Sequence, residues 1–430
     1  MLDKVFPGSY NGTITIREEH TMKPVTAVVL GAGSRGSIYA GYALEHPEQL
    51  QILAVADPRT DRRNMLSDKL GIPETGRFAS WQELLSGPRK ADCAFICTLD
   101  DDHTAPAIRA MELGYHILLE KPMSNTEEEC RLIANTAART GRTLAVCHVL
   151  RYTPFYMTLK HLLDQGQIGE VTAINQIENV GYWHQAHSFV RGNWRTVRET
   201  SPMILQKSCH DMDIILWLMG KDCRRVQSFG SLRHFTPEHA PEGAPERCLQ
   251  GCPHGEDCPY YAPRLYMDMT RTGWPVDVIT TDLSEEGRRK ALMEGPYGRC
   301  VYRCDNDVVD RQVVNMEFEG GAVATFTMTA FSADFSRQLK IFGTRGQIQA
   351  DMGTKEIVLH RFGEEKRTIP MDEGMMHSGH GGGDYGIMQD FLQVVRTGGE
   401  SLTSAKASLQ SHLMCFAAER SRKEHIVVEL

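Results

Sequence analysis

Four stretches of the chain carry residue types whose spacing suits chemistry. The first is Gly31-Ala32-Gly33-Ser34-Arg35-Gly36, a G-x-G-x-x-G run between the apolar Val28-Val29-Leu30 and a helical pattern. Glycines so placed allow a tight turn and a close backbone approach to a pyrophosphate, whose charge then sits at a helix N-terminus. Asp57 ends the next apolar run, twenty-one residues past Gly36, where a carboxylate can accept hydrogen bonds from adenosine ribose hydroxyls. That charge disfavours the added phosphate of NADP, which Arg59 and Arg62 could partly offset, so NAD is favoured over NADP. The second stretch, Tyr182 to Arg195, gathers His184, His187, Arg191, Asn193 and Trp194. Indole faces stack on sugar or nicotinamide rings and the polar groups bind hydroxyls, the bland alternative being a solvated loop. In the third, the glycines around His380, within His377 to Asp384, could carry that imidazole to a substrate. The fourth holds Cys248, Cys252 and Cys258, followed by Cys300 and Cys304.

Those five cysteines exceed the four thiolates of a tetrahedral zinc site, although their spacing is not a common zinc-finger one. The expectation is one structural zinc on Cys248, Cys252, Cys258 and Cys300, with Cys304 the second choice for the last ligand. An iron–sulfur cluster and metal-free thiols stay open. The other seven of the 12 cysteines are scattered in apolar or helical surroundings and read as small core residues.

Elements that position these groups follow from the periodicity. Residues 1–24 mix Gly, Pro and charge without a sustained period and read as an arm, either disordered or docked on a neighbour. From Thr26, short apolar runs alternate with helix-length segments up to about residue 150, as in parallel βα units. The runs are Ala27 to Leu30, Ile52 to Ala56, Cys93 to Cys97, Ile117 to Leu119 and Leu144 to Val146. Over 151–430 the rhythm changes to strand-like Val171 to Val180, a helix from about Cys209 to Leu218, and runs at 225–235, 313–318 and 323–330. The last two are joined through Gly320-Gly321, a hairpin turn, and more strand-like runs follow. The fold class expected is α/β: a Rossmann dinucleotide-binding domain over 25–150, then an α+β domain with a large, mostly antiparallel open sheet. That sheet is interrupted by a Cys-rich insertion at about 236–310.

A chain of 430 residues, 41% hydrophobic, can bury two cores, and a formal charge of -8 with scattered signs offers no basic stripe for nucleic acid. It has no apolar run long enough to span a bilayer and no signal-peptide core, so no membrane is expected and the location expected is cytoplasmic.

Two further segments carry a resemblance: Cys97-Thr98-Leu99-Asp100 with His103, and Glu120-Lys121-Pro122. With the glycine fingerprint they make the chain similar to the Gfo/Idh/MocA oxidoreductases, the glucose-fructose oxidoreductase and inositol dehydrogenase relatives. The likeness runs over about 25–235 and 310–430. It implies that Thr98, Leu99, Asp100, His103 and Glu120 lie at the cofactor and that Lys121 sits between nicotinamide and substrate. The family's Asp-x-x-x-His segment reads Gln206-Lys207-Ser208-Cys209-His210 here, so His210 matches the histidine while a glutamine replaces the aspartate. Lys207 could supply part of what that aspartate did. The resemblance thus points to Lys121 and His210 as the catalytic pair with Lys207 assisting, while residue type alone adds His184, His187, Arg191, Trp194 and His380 as further substrate-side candidates. It also implies hydride transfer between a nicotinamide and a secondary alcohol of a sugar, glycoside or inositol-like polyol. An NAD-dependent glycosidase using transient oxidation and elimination is the alternative, and a non-catalytic NAD(H)-binding sensor the second. A homo-oligomer through the open sheet face is expected.

Overall fold

The computed structural model describes residues 23–371 and 379–430, so nearly all of the expected N-terminal arm, and His377, lie outside the described residues. Strands β1 (Val25–Leu30), β2 (Leu50–Ala56), β3 (Arg77–Phe78), β4 (Cys93–Ile96), β5 (His116–Leu119) and β6 (Leu144–Val146) form one sheet in the order β3-β2-β1-β4-β5-β6. Every pairing in it is parallel. Its central strands are apolar but for Thr26 because helices cover both faces, and β1 and β4 are almost completely buried. The strand order reverses between β1 and β4, which opens the crevice at the carboxyl ends of the strands where such sheets bind ligands.

The second sheet has nine strands. They are β7 (Val171–Asn179), β8 (Cys223–Ser231), β9 (Arg311–Phe318), β10 (Val323–Thr329), β11 (Ser336–Gly343), β12 (Gly346–Asp351), β13 (Glu356–Arg361), β14 (Arg367–Ile369) and β15 (Val428–Glu429). Their order is β14-β13-β12-β11-β7-β10-β9-β8-β15, and only β7 and β10 run parallel. Burial alternates along β7, β9 and β10, so one face packs on helices 154–164, 209–219 and 405–424 while the other is open. Gly320 and Gly321 join β9 to β10 with φ of 74° and 81°, which a side chain would resist.

Two features depart from the periodicity reading. The chain returns at its end to the first sheet: helix Gly383–Thr397 places Ile387, Met388, Phe391 and Leu392 in one core with Val29, Tyr39 and Phe95. The insertion also packs on itself. Cys248, Ala262, Tyr266, Val276, Leu292 and Tyr297 form a small aromatic core of its own.

Candidate active site

The glycine run turns where β1 meets helix Ser34–Glu45. Gly31 has φ of 97°, and a Cβ there would fall 2.4 Å from the Cys97 carbonyl oxygen; one on Gly36 would fall 1.9 Å from the Gly31 oxygen. Gly33 caps the helix without any side-chain hydrogen bond, and Ser34 is exposed beside it, so the first turn presents free N–H groups to an anion. Asp57 lies nearly buried at the end of β2, its two carboxylate oxygens accepting from the Ala32 and Arg59 backbone N–H groups at 2.7 and 2.8 Å. Arg59 is spent on Asp61 at 2.7 Å, whereas the Arg62 guanidinium reaches over Gly33. A cradle that any Cβ would fill, an uncapped helix end and a fixed carboxylate fit a dinucleotide.

Residues after β4 mostly tie the crevice together. The buried His103 ring bridges the Pro122 carbonyl at 2.7 Å and the Thr98 carbonyl at 3.2 Å, joining the two loops that carry the family segments. Thr98 donates to the Asp102 carbonyl, and Leu99 stays exposed at the rim. The buried Asp100 accepts from Ser201 at 3.0 Å and from the Trp194 indole at 3.4 Å, which makes Trp194 a link between domains.

Glu120 and Arg35 form the floor. Arg35 Nε pairs with Glu120 at 2.7 Å and its Nη2 with Asp384 at 2.6 Å, so the arginine of the glycine run holds the β5 loop and the returning C-terminal helix together. Tyr39 adds a hydroxyl to Glu120 at 2.8 Å. His380 sits exposed at the head of that helix, 3.1 Å from Asp384. Burial pushes the Glu120 carboxyl up, but the cations Arg35 and Lys121 outweigh it and hold it ionised below the usual range.

Lys121 crosses to the second domain: its Nζ donates to the Gln206 carbonyl at 2.6 Å, one helical turn before His210. His210 is buried, its ring 6.3 Å from that of His380 and 5.9 Å from that of His148, and its Nδ1 has no partner. Burial, reinforced by Lys121 and His148, drives its pKa well below the usual value, so the imidazole is neutral.

Lys207, next to the glutamine that replaces the aspartate, joins a buried charged group whose other members the sequence reading did not single out. Lys207 Nζ lies 3.2 Å from Glu178 of β7, and Arg337 of β11 pairs with Glu178 and Asp211, each at 2.8 Å. Gln176 donates to Asp211, and Ser208 donates to Glu178 at 3.0 Å. Burial raises the Glu178 carboxyl, yet Arg337 and Lys207 together pull it below its usual range. Burial lowers Lys207. The signal was present: in β7 the inward parity Ile174, Gln176, Glu178, Val180 carries two polar residues where a core strand should be apolar.

The stretch from Tyr182 is helical rather than a loop, with a π-helical turn over Gln185–Arg191. Trp274, exposed on the insertion, brings its ring to within 5.0 Å of His184, 5.7 Å of His187 and 5.3 Å of Trp183, and Phe335 lies 5.0 Å from His184. These rings wall the space beside Lys207, whose ammonium lies 5.1 Å from the Phe335 centroid. His187 instead bonds the Tyr266 hydroxyl at 2.7 Å and stacks on Tyr297 at 4.8 Å, and burial pushes its pKa down to about 3. Arg191 is engaged by the insertion. Its guanidinium is buried against the insertion, donating to the carbonyls of Arg299 and Tyr260 at 2.7 Å each.

The zinc expectation finds no support among the described residues. Cys248, Cys252, Cys258 and Cys300 line one cavity, with Cys304 outside it, its thiol against the Cys300 carbonyl. Yet among the described residues no three His, Cys, Asp or Glu side chains stand close enough to hold one metal ion. The four thiols therefore converge without forming a single-ion site.

The pattern described as the oxidoreductase family NAD-binding Rossmann fold matches residues 25–148, and that of the family's C-terminal alpha/beta domain matches 160–430. The putative oxidoreductase YteT of Bacillus subtilis is 26% identical over 319 residues, 70% of this chain and 72% of YteT. An inositol 2-dehydrogenase of Salmonella typhimurium is 23% identical over 206 residues, 47% of this chain and 57% of that protein. Among solved structures, an oxidoreductase domain protein from Kribbella flavida superposes with a TM-score of 0.71 at 18% identity, covering 95% of this chain and 99% of that one. An Agrobacterium radiobacter oxidoreductase in complex with NAD+, L-tartaric acid and magnesium gives 0.68 at 14% identity, covering 95% and 98%. No described helix is long and apolar enough to cross a membrane.

Proposed function

The chain belongs to the Gfo/Idh/MocA oxidoreductase family, and from that premise we propose that it oxidises a secondary alcohol of a sugar or polyol with NAD. The observation that carries the reading is Lys121 reaching across the cleft to the helix start that bears a neutral, buried His210. Gly31, Gly33, Gly36 and the first turn from Ser34 would hold the pyrophosphate, Asp57 the adenosine ribose, and Glu120 and Lys121 the nicotinamide side. The nicotinamide, when bound, supplies the hydride acceptor.

His210 takes the hydroxyl proton as the carbon gives up its hydride, so the alcohol becomes a ketone and no charge is left on oxygen. Lys121 exchanges the Gln206 carbonyl for the substrate oxygen and stabilises its developing charge. Lys207 contributes a cation fixed by Glu178 rather than the negative charge of the missing aspartate. Its place beside the wall of Trp183, His184, Trp274 and Phe335 suits a ring with hydroxyl edges and an apolar face. Association of two copies through the open sheet face is supported by Ile177, Phe229, Val313 and Val323, all exposed on that face.

The test is a panel of inositols, aldoses and glycosides incubated with the protein and NAD, with NADH and products measured. Net NADH with a ketone product is expected. Release of an aglycone without net NADH would replace this reading by the redox-neutral glycosidase, and NADH binding with no turnover of any class by a sensor.

A further inference from the structure

The four thiols of the insertion and a buried arginine form a second site, unconnected with hydride transfer. Cys248, Cys252, Cys258 and Cys300 face one cavity whose remaining wall includes Arg191, Tyr260, Tyr261 and Tyr302. Three of these cysteines come from one loop of the insertion, while Cys300 comes from the far end of it, next to a bridge between Arg247 and Arg299. The cavity lets the centre of a water-sized sphere move through about 20 Å³. That corresponds to a free radius of ~3 Å once the sphere's own radius is added. A tetrathiolate zinc ion, at about 2.3 Å from each sulfur, leaves no such space between its ligands.

Charge supplies the second observation. Arg191 is 2% exposed, and none of its contacts among the described residues is a carboxylate. Two are carbonyls, and the third is Cys248 Sγ, 3.7 Å from Nη2. Arg288, the other buried arginine here, is satisfied differently, by four carbonyls. A guanidinium withdrawn from water and aimed at sulfur calls for negative charge at that sulfur. The Ala262 N–H also points at Cys248 Sγ, at 3.5 Å, as backbone amides do toward ligating thiolates.

We infer that Cys248, Cys252, Cys258 and Cys300 bind an iron–sulfur cluster, with Arg191 balancing its charge. Each thiol gives up its proton on ligating iron, and the cluster's several irons span a space that one ion cannot. Arg191 ends the π-helical turn that carries His187 and follows His184, so the cluster fixes the insertion against the wall of the substrate cleft.

The full-length protein, produced with ample iron and purified anaerobically, is assayed for iron, acid-labile sulfide and zinc per chain and for the broad visible absorption of sulfide-to-iron charge transfer. Chelated protein is then offered ferrous iron with sulfide, or zinc alone, in parallel. Iron and sulfide in matching amounts, restored by reconstitution, lost in Cys252→Ser and Cys300→Ser and kept in Cys304→Ser, are expected. Zinc without sulfide in the protein as purified, or no bound metal after either reconstitution, would overturn the inference. These readouts on the unaltered protein stand even where a cysteine variant fails to fold, and none depends on the alcohol substrate.

Discussion

Glu178→Gln removes one negative charge from a buried group of two cations and two carboxylates and leaves Lys207 without its counter-ion. At the 3.2 Å separation of Lys207 Nζ from Glu178, the attraction lost is ~5 kcal/mol at an effective dielectric of about 20. Arg337 keeps Asp211, and Lys207 can escape by losing its proton, so a net loss of about 3 kcal/mol is expected, the low end for breaking a buried pair. For a chain of 430 residues that is about 3–5 °C in Tm at neutral pH. Burial already lowers Lys207, and without Glu178 it falls further. The unfolded variant then binds more protons than the folded one, so its stability rises with pH up to the ordinary lysine range, where the unfolded chain also deprotonates. Calorimetry from about pH 7 to about pH 9 should show the gap to the unaltered protein narrowing. Glu178→Gln combined with Lys207→Met should recover most of the loss. An unchanged Tm, or a gap that widens with pH, would refute the idea that Glu178 keeps Lys207 charged.

Lys121→Ala and His210→Ala should each lower kcat by about 10² or more while NAD titration stays near normal, as for loss of a general acid or base. Asp57→Ser should bring NADP affinity toward that of NAD, measured by titration with both cofactors, because it removes a carboxylate fixed where the extra phosphate would lie. Gly36→Ala should abolish cofactor binding and lower Tm, since its Cβ would meet the Gly31 oxygen at 1.9 Å, with no flexible side chain to yield. Trp274→Ala should raise KM for a ring substrate more than it lowers kcat, with Tm within ~1 °C, because Trp274 is exposed and its ring faces the wall of the cleft.

What was legible in the sequence followed short-range rules. Parallel strands read as continuous apolar runs, the glycine fingerprint as a turn, and Gly320-Gly321 as a hairpin, because each is set by residues that are neighbours along the chain. Pairings across long separations were not legible. Arg35 lies in a cofactor motif, yet one of its ion-pair partners, Asp384, is 349 residues away. Arg191 and His187 sit among sugar-binding residue types, but their partners come from an insertion whose path no local period reveals. Lys207 was singled out without Glu178, although the polar inward parity of β7 would have pointed to a buried charge awaiting a partner.

The return of the chain to its first sheet has a consequence for how the protein is made. Phe391 and Leu392 fill the same core as Val29 and Phe95, and Val146 of the edge strand donates to the Thr403 carbonyl at 2.8 Å. On a ribosome the first half therefore emerges with an apolar groove that stays open until residues beyond Gly383 have been synthesised. Nascent chains halted before that point should be held by chaperones or cut by proteases, although every strand of the first sheet is already outside the tunnel. Severing the gene after residue 150 would likewise yield two aggregating fragments in place of two independent modules, because the last helices are structural parts of both halves.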